Sequence, residues 1–167
     1  GLENTESDYV IVQDADSKID GDVIRKGANK LEADETAGAV MTSIRPLEAE
    51  TFVQKLQVIE YTLTNFYRNM MSFINILDMA PGAYSMYRTD HVKDLGGFDE
   101  DNLTEDLELA WRIKRDGKSI EMAFHETAKT EFTKTLKGLY GQRVRWARGF
   151  ISNAYDNRDM FFDKKYG

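Results

Sequence analysis

Two aspartates follow a short apolar segment near the start of the chain. The segment at 8–13 reads as a buried β-strand, and Asp14 and Asp16 stand at its end. Alternate residues of an extended strand point the same way, so both carboxylates would face one ion. Carboxylate oxygens suit Mg²⁺ or Mn²⁺, and these ions commonly also bind substrate phosphates. The pair predicts a metal–diphosphate site, and the alternative is two surface acids at a strand end.

A second acidic pair, Glu105 and Asp106, lies where a helix begins. One explanation is ordinary helix initiation, because the helix dipole stabilises acids in the first turn. Asn102 with Glu105 has capping-box spacing, and Thr104 is an equally good cap. The other explanation is catalytic: Asp106 is the general base that takes a proton from a hydroxyl group, and Glu105 supports it.

The third candidate is the string Gln142-Arg-Val-Arg-Trp146. On a helix, Gln142, Arg145 and Trp146 share one face. Arginine suits a diphosphate, and the face of an indole suits a sugar ring. The alternatives are contact with anionic lipid or a solvated basic face with Trp146 in the core. The string lies in a stretch without acidic residues, between Phe132 and Tyr155. The other basic residues of this acid-free stretch are Lys134, Lys137, Arg143 and Arg148.

In this order, Asp14-Ala-Asp16, Thr104-Glu-Asp106 and Gln142-Arg-Val-Arg-Trp146 resemble the signature of processive, membrane-associated family 2 glycosyltransferases. That family includes cellulose synthase, hyaluronan synthase and the poly-N-acetylglucosamine synthases. The resemblance implies metal-dependent, inverting transfer of a sugar from a nucleotide sugar, of the UDP type, to a glycan acceptor. It also implies an A-type, Rossmann-like glycosyltransferase fold, in which a mixed sheet is flanked by helices.

The resemblance assigns a role to each motif. Asp14 and Asp16 would bind the diphosphate and Mg²⁺ or Mn²⁺, and Asp106 would be the base, with Glu105 beside it. The residues that would hold the diphosphate and the end of the acceptor are Gln142, Arg145 and Trp146.

The segment 81–88, followed by the turn at 95–98, resembles the acceptor-side strand and turn of the same family. By this resemblance Gly82 would lie near the acceptor sugar. Relatives often carry Ser or Thr at the next position, where this chain has Ala83, so a hydroxyl contact there is not expected.

The ends of the chain depart from the family. We expect residues 1–167 to be a single domain that lacks the amino-terminal nucleotide-binding part and the carboxyl-terminal membrane helices. The parent protein would work at the cytoplasmic face of the cell membrane, whereas this fragment would be soluble and weakly active or inactive. The strand at 8–13 would become a sheet edge, with the possibility of self-association.

The composition is that of a globular protein, with 41% hydrophobic and 31% charged residues. The net charge of −7 argues against general nucleic-acid binding, and a chain without cysteine has no thiolate zinc site. Strands and helices alternate, which predicts an α/β domain. The predicted strands are 8–13, 39–44, 82–88 and 119–124; the predicted helices are 20–33, 48–77, 103–115 and 135–155.

The helix at 48–77 carries an apolar stripe with alternating spacings of four and three residues. The stripe consists of Phe52, Leu56, Ile59, Leu63, Phe66, Met70, Phe73 and Leu77. It would either cover the sheet or form a coiled-coil seam, which would make the chain a non-catalytic interaction module. Within enzymes, the alternative is a non-processive transferase that acts on a lipid or small glycan acceptor.

Overall fold

The computed structural model describes residues 2–163, except for the side chains of residues 124 and 162. Its strands are β1 (Tyr9–Val12), β2 (Lys18–Ile19), β3 (Ala37–Pro46), β4 (Ser85–Arg88) and β5 (Ser119–Thr130). Its α-helices are α1 (Gly21–Ala33), α2 (Phe52–Phe73), α3 (Thr89–Asp94), α4 (Glu105–Arg115) and α5 (Leu136–Asp156). Short 3₁₀ turns lie at Leu2–Asn4 and Met160–Phe162.

The five strands form one mixed sheet in the order β1-β4-β3-β5-β2. β3 and β5 are parallel, and the other neighbours are antiparallel. This arrangement confirms the predicted α/β class. β1 lies at one edge of the sheet, as the sequence suggested, and β2 lies at the other.

β5 is longer than predicted. Its pairing with β3 shifts in register, because Thr42 faces Ala123 while Ser43 faces Thr127. A bulge of this kind bends a strand and redirects the residues beyond it. β5 continues beyond the bulge to Thr130. Because it runs in the same direction as β3 and β1, its end lies at the same end of the sheet as the end of β1.

Helices cover both faces of the sheet. α1 packs on one face, where Val23 and Leu31 meet Val40, Tyr84 and Met86 in a buried cluster. On the other face α3 and α4 contribute to a larger cluster, whose helical members are Val92, Leu109, Ala110, Trp111 and Ile113. Burial of these side chains holds the ends of β1 and β5 near the starts of β4 and α4.

α2 contacts the sheet through polar side chains, not through its apolar stripe. The Asn65 side chain accepts from the amide of Ile44 at 3.1 Å and donates to its carbonyl at 2.8 Å. Gln54 and Gln57 donate to the backbone carbonyls of Phe132 and Thr133, in the segment after β5. The prediction that the stripe covers the sheet is therefore wrong, and its members on α2 are between 42% and 91% exposed.

Within residues 2–163, no helix is both long and apolar enough to span a bilayer.

Candidate active site

Asp14 and Asp16 lie in a turn and not on the strand itself. β1 ends at Val12, and the Ser17 amide donates to the Asp14 carbonyl over 3.0 Å, which closes the turn. The expectation that an extended strand presents both carboxylates is therefore wrong. Both residues nevertheless line one cleft. There Asp16 Oδ1 accepts a hydrogen bond of 3.1 Å from the Thr130 hydroxyl at the end of β5.

The carboxyl group of Asp14 lies in an acidic environment. Burial is the largest cause that raises its pKa, and the carboxylates of Asp16, Asp106 and Glu105 raise it further. Arg145 lies near enough to act in the opposite direction. A divalent cation would relieve this repulsion, and hard carboxylate oxygens are the donors that Mg²⁺ and Mn²⁺ prefer. The donors at this position therefore fit such an ion.

Protein side chains alone do not complete a metal site. Among the described residues there is no group of three or more His, Cys, Asp or Glu side chains arranged around a common point. Asp14 and Asp16 would thus leave most coordination positions to water and ligand oxygens. This is the usual situation for Mg²⁺ bound together with a phosphate.

Glu105 and Asp106 begin α4. Thr104 occupies the N-cap position, but its hydroxyl accepts a 3.1 Å hydrogen bond from Asn153 of α5. Its amide donates to Asn102 Oδ1 at 3.0 Å. Neither capping arrangement suggested by the sequence is formed, because Asn102 and Thr104 connect the start of α4 to α5 instead.

Gly82 joins the two acidic sites. Its carbonyl accepts the Asp14 amide at 2.8 Å, and its own amide donates to Asp106 Oδ2 at 3.0 Å. A Cβ atom at position 82 would lie 3.0 Å from Asp14 Oδ1, at the lower limit of real contacts. Gly82 therefore links the backbone of Asp14 to the carboxylate of Asp106.

One face of α5 is fastened to the loop that precedes α4. Arg145, Gly149 and Asn153 are spaced by four residues and share this face. Arg145 Nη1 donates to the Leu103 carbonyl at 3.2 Å. A Cβ atom at position 149 would lie 2.3 Å from the Thr104 hydroxyl oxygen, so glycine is what allows the close approach.

The other residues of the basic string have separate environments. Arg143 forms a 2.7 Å ion pair with Glu60 of α2, and its guanidinium carbon lies 4.3 Å from the centre of the Trp146 ring. Trp146 is therefore held by a cation on one face, and it lines the cleft. Gln142 also lines the cleft, and within the described part of the chain its buried Oε1 has no hydrogen-bond partner.

All eight residues singled out from the sequence line this one cleft of about 660 Å³. They are Asp14, Asp16, Gly82, Glu105, Asp106, Gln142, Arg145 and Trp146. The structure adds residues that the motifs did not indicate, namely Gln57, Tyr61, Arg68, Thr130, Glu131 and Phe132. Three of them could have been found from the sequence, because Gln57, Tyr61 and Arg68 recur at helical intervals on the face of α2 opposite its apolar stripe.

Comparison with known proteins gives a consistent picture. The sequence model described as "Glycosyl transferase family group 2" matches residues 9–164. Poly-beta-1,6-N-acetyl-D-glucosamine synthase from Staphylococcus aureus is 29% identical over 150 residues, which cover 89% of this chain and 36% of that protein. The enzyme of the same name from Staphylococcus epidermidis is 27% identical over the same length. The chain thus spans about a third of the length of these relatives.

Among solved structures, the mannosyltransferase PcManGT from Pyrobaculum calidifontis, in complex with GDP-Man and Mn²⁺, has a TM-score of 0.69 and 20% sequence identity. The match covers 95% of this chain and 41% of that one. This likeness confirms the expected A-type glycosyltransferase fold.

Proposed function

The chain belongs to glycosyl transferase family group 2, and from this premise we propose that it is the catalytic part of an enzyme for metal-dependent, inverting transfer of a sugar from a UDP-sugar to a glycan acceptor. The chain alone would be weakly active or inactive. The observation that supports this most directly is the Gly82 junction. It brings the Asp14 carboxylate, on the donor side, and the Asp106 carboxylate, on the base side, into one cleft.

On the donor side, Asp14 and Asp16 would hold Mg²⁺ or Mn²⁺ together with the diphosphate. When bound, the ion would neutralise charge that develops on the leaving diphosphate. The acidic surroundings that raise the Asp14 pKa favour a cation at this place. The similar mannosyltransferase was solved with GDP-Man and Mn²⁺, which supports a nucleotide sugar and a divalent cation as ligands.

On the acceptor side, Asp106 is the base. It takes the proton of the acceptor hydroxyl while that oxygen forms a bond to the anomeric carbon and the bond from this carbon to the diphosphate breaks. A single displacement of this kind inverts the anomeric configuration. Gly82 holds Asp106 Oδ2 in place through its amide, and Glu105 adds negative charge next to the base.

α5 supplies the remaining contacts. Arg145 lies close enough to Asp14 to affect its ionisation, so it is placed to act on the diphosphate. Trp146 offers an aromatic surface to the acceptor end, and the buried Oε1 of Gln142 is able to accept a hydrogen bond from a sugar hydroxyl. The relatives are polysaccharide synthases, which favours a polymer as acceptor over the alternative of a lipid or small glycan.

A titration of the isotopically labelled chain with Mn²⁺, with and without UDP, tests the donor site. We expect paramagnetic broadening centred on Asp14 and Asp16, stronger with UDP and lost in Asp16→Ala. Asp22→Ala is the control, because Asp22 is an exposed acid of α1 outside the cleft. Broadening that persists in Asp16→Ala, or that is equally strong without UDP, would contradict the proposal. Robust UDP-sugar hydrolysis by the chain would refute the expectation that it is weakly active on its own.

We also propose that the protein works at the cytoplasmic face of a membrane, beside membrane helices of a longer protein. The exposed stripe of α2 is the observation in favour. Its face carries few charges, and α5 adjoins it through the Arg143–Glu60 ion pair. α5 adds Lys137, Arg145 and Arg148, together with exposed large side chains such as Tyr140. An anionic lipid surface suits apolar and basic residues side by side.

Co-sedimentation with vesicles tests this second proposal. We expect binding to phosphatidylcholine vesicles that contain phosphatidylglycerol, weaker binding in high salt, and loss of binding in the double variant Leu63→Glu, Phe66→Glu. Both side chains are exposed, so the fold should tolerate the changes. A concentration-dependent dimer that the same variant abolishes, without vesicle binding, would instead favour the interaction-module alternative.

A further inference from the structure

Arg68 is a cation inside the cleft that no sequence motif indicated. It comes from the last part of α2 and lines the cleft together with Asp106 and Trp146. Its Nε and Nη1 atoms are inaccessible to solvent, and within the described part of the chain neither has a hydrogen-bond partner. Unsatisfied donors on a buried guanidinium are costly, so a fold retains them where a ligand completes them.

The charge of Arg68 is partly compensated by neighbouring groups. Burial lowers the pKa of Arg68, while Tyr61, Asp78 and Asp106 lie close enough to raise it, in that order of influence. The guanidinium thus has anionic neighbours, one of them the proposed base. What it lacks is acceptor oxygens within bonding distance of Nε and Nη1.

The two arginines of the cleft serve different ends of it. Arg145 influences Asp14, on the donor side, whereas Arg68 has Asp106, on the base side, among its electrostatic neighbours. The carboxylates that line the cleft outnumber the cations, with five Asp and Glu residues against two arginines. A second phosphate at the Arg68 end would add to this negative charge, whereas a neutral ligand rich in oxygen would not.

The wall beside Arg68 suits a sugar ring. Tyr61 and Phe132 both line the cleft, and their ring centres lie 4.6 Å apart. Tyr61 is also one of the electrostatic neighbours of Arg68. Aromatic surfaces pack against the apolar faces of sugar rings while polar donors bind the hydroxyl oxygens at the ring edges.

We infer that Arg68 is an acceptor-positioning residue: its guanidinium group donates hydrogen bonds to oxygen atoms of the terminal acceptor sugar and so orients the reacting hydroxyl towards Asp106. The inference rests on the proposed function and adds a residue to it. Arginine is suited to this task because its donors have a fixed geometry and it stays charged.

The test observes the Arg68 side chain directly in the wild-type chain. Its ¹⁵Nε–Hε resonance is assigned by its loss in Arg68→Lys. The labelled chain is then titrated with a β-1,6-linked N-acetylglucosamine trisaccharide, with cellotriose, and separately with UDP and Mg²⁺. We expect at least one glycan to shift the Arg68 resonance, and UDP with Mg²⁺ to act mainly on Arg145.

Binding constants of variants complete the test. Arg68→Met should weaken glycan binding about tenfold or more and leave the affinity for UDP with Mg²⁺ within about twofold. Arg68→Lys should recover part of the loss. Lys55→Met, at an exposed cation on the same helix, is the matched control and should change neither constant.

Two outcomes would overturn the inference, and a third would separate it from the proposed function. A shift of Arg68 with UDP and Mg²⁺ but with none of the glycans would make it a donor-side residue. Unchanged constants in Arg68→Met would make its role structural. If UDP with Mg²⁺ fails to bind at Asp14 and Asp16 while glycans still shift Arg68, the proposed donor site fails and the inference about Arg68 stands.

Discussion

Gly149→Ala should have two opposing effects on the stability of the protein. In an exposed helix, replacing glycine by alanine is stabilising by about 1 kcal/mol, because alanine loses less backbone entropy on folding. At position 149 the added Cβ atom would lie 2.3 Å from Thr104 Oγ1, 2.5 Å from Cγ2 and 2.9 Å from Cβ. Rotation of the threonine side chain does not move its Cβ, so α5 must retreat from the loop.

The expected magnitude comes from this geometry. Real Cβ contacts are almost never shorter than 3.0 Å, so the Thr104 hydroxyl and the helix must separate by well over half an ångström. Overpacking of this kind costs about 1–3 kcal/mol. The same retreat would lengthen the bonds of Arg145 to Leu103 and of Asn153 to Thr104. We therefore expect a net loss of about 1–2 kcal/mol after the helix-propensity gain.

Gly141→Ala provides the matched control on the same helix. A Cβ atom there would have no atom within 4 Å, so only the propensity term operates. Urea unfolding of both variants measures the difference, with a gain of up to about 1 kcal/mol expected for Gly141→Ala. If Gly149→Ala is as stable as Gly141→Ala, α5 does not approach the Thr104 loop closely and the described geometry of the cleft is wrong.

Three further outcomes are expected. Asp14→Asn should abolish Mn²⁺ binding yet stabilise the metal-free chain near pH 7, by up to about 1 kcal/mol. The sign follows from the raised pKa of Asp14 in the folded state. The stability that this raised pKa contributes is present below the pKa of Asp14 in the unfolded chain, and it is lost as the pH rises through the pKa of the folded state. The gain of Asp14→Asn in urea unfolding should therefore vanish at low pH. Gly82→Ala should weaken Mn²⁺ binding with UDP in calorimetry, because its Cβ atom displaces Asp14 Oδ1; an unchanged affinity would contradict the junction. Asn65→Ala should lower the unfolding free energy by about 2–4 kcal/mol, because it leaves the buried amide and carbonyl of Ile44 without hydrogen-bond partners. A loss below about 1 kcal/mol would mean that water replaces the side-chain amide of Asn65.

The sequence predicted the elements better than their contacts. The α/β class, the order of the major strands and helices and the convergence of three motifs on one cleft could be inferred from apolar runs and from a signature that retains its order. The placement of Asp14 and Asp16 on a turn could not. Tight turns depend on local hydrogen bonds such as the one from Ser17 to Asp14, which an alternation pattern does not encode.

The orientation of α2 was the largest failure, and it has a physical cause. The periodicity of a sequence indicates that a helix has an apolar and a polar face, but it does not indicate which face packs against the protein. On α2 the polar face also has helical spacing, through Gln54, Gln57, Asn65 and Ser72, and these side chains satisfy backbone groups of the sheet and of the segment after β5. Because buried backbone groups must be paired, amide side chains at regular spacing are an alternative way to dock a helix.

The docking of α2 through its polar face also explains why the cleft contains a buried cation. A helix that docked through its apolar stripe would direct Arg68 to solvent, and Glu60 would not meet Arg143. Because α2 docks through its polar face, it places Arg68 in the cleft and ties α5 through the Glu60–Arg143 pair. α5 is thereby held on one side by α2 and on the other by the Thr104 loop. Its basic string is fixed by two separate contacts, so a mutation in the polar face of α2 should disturb the cleft even where it leaves every motif residue unchanged.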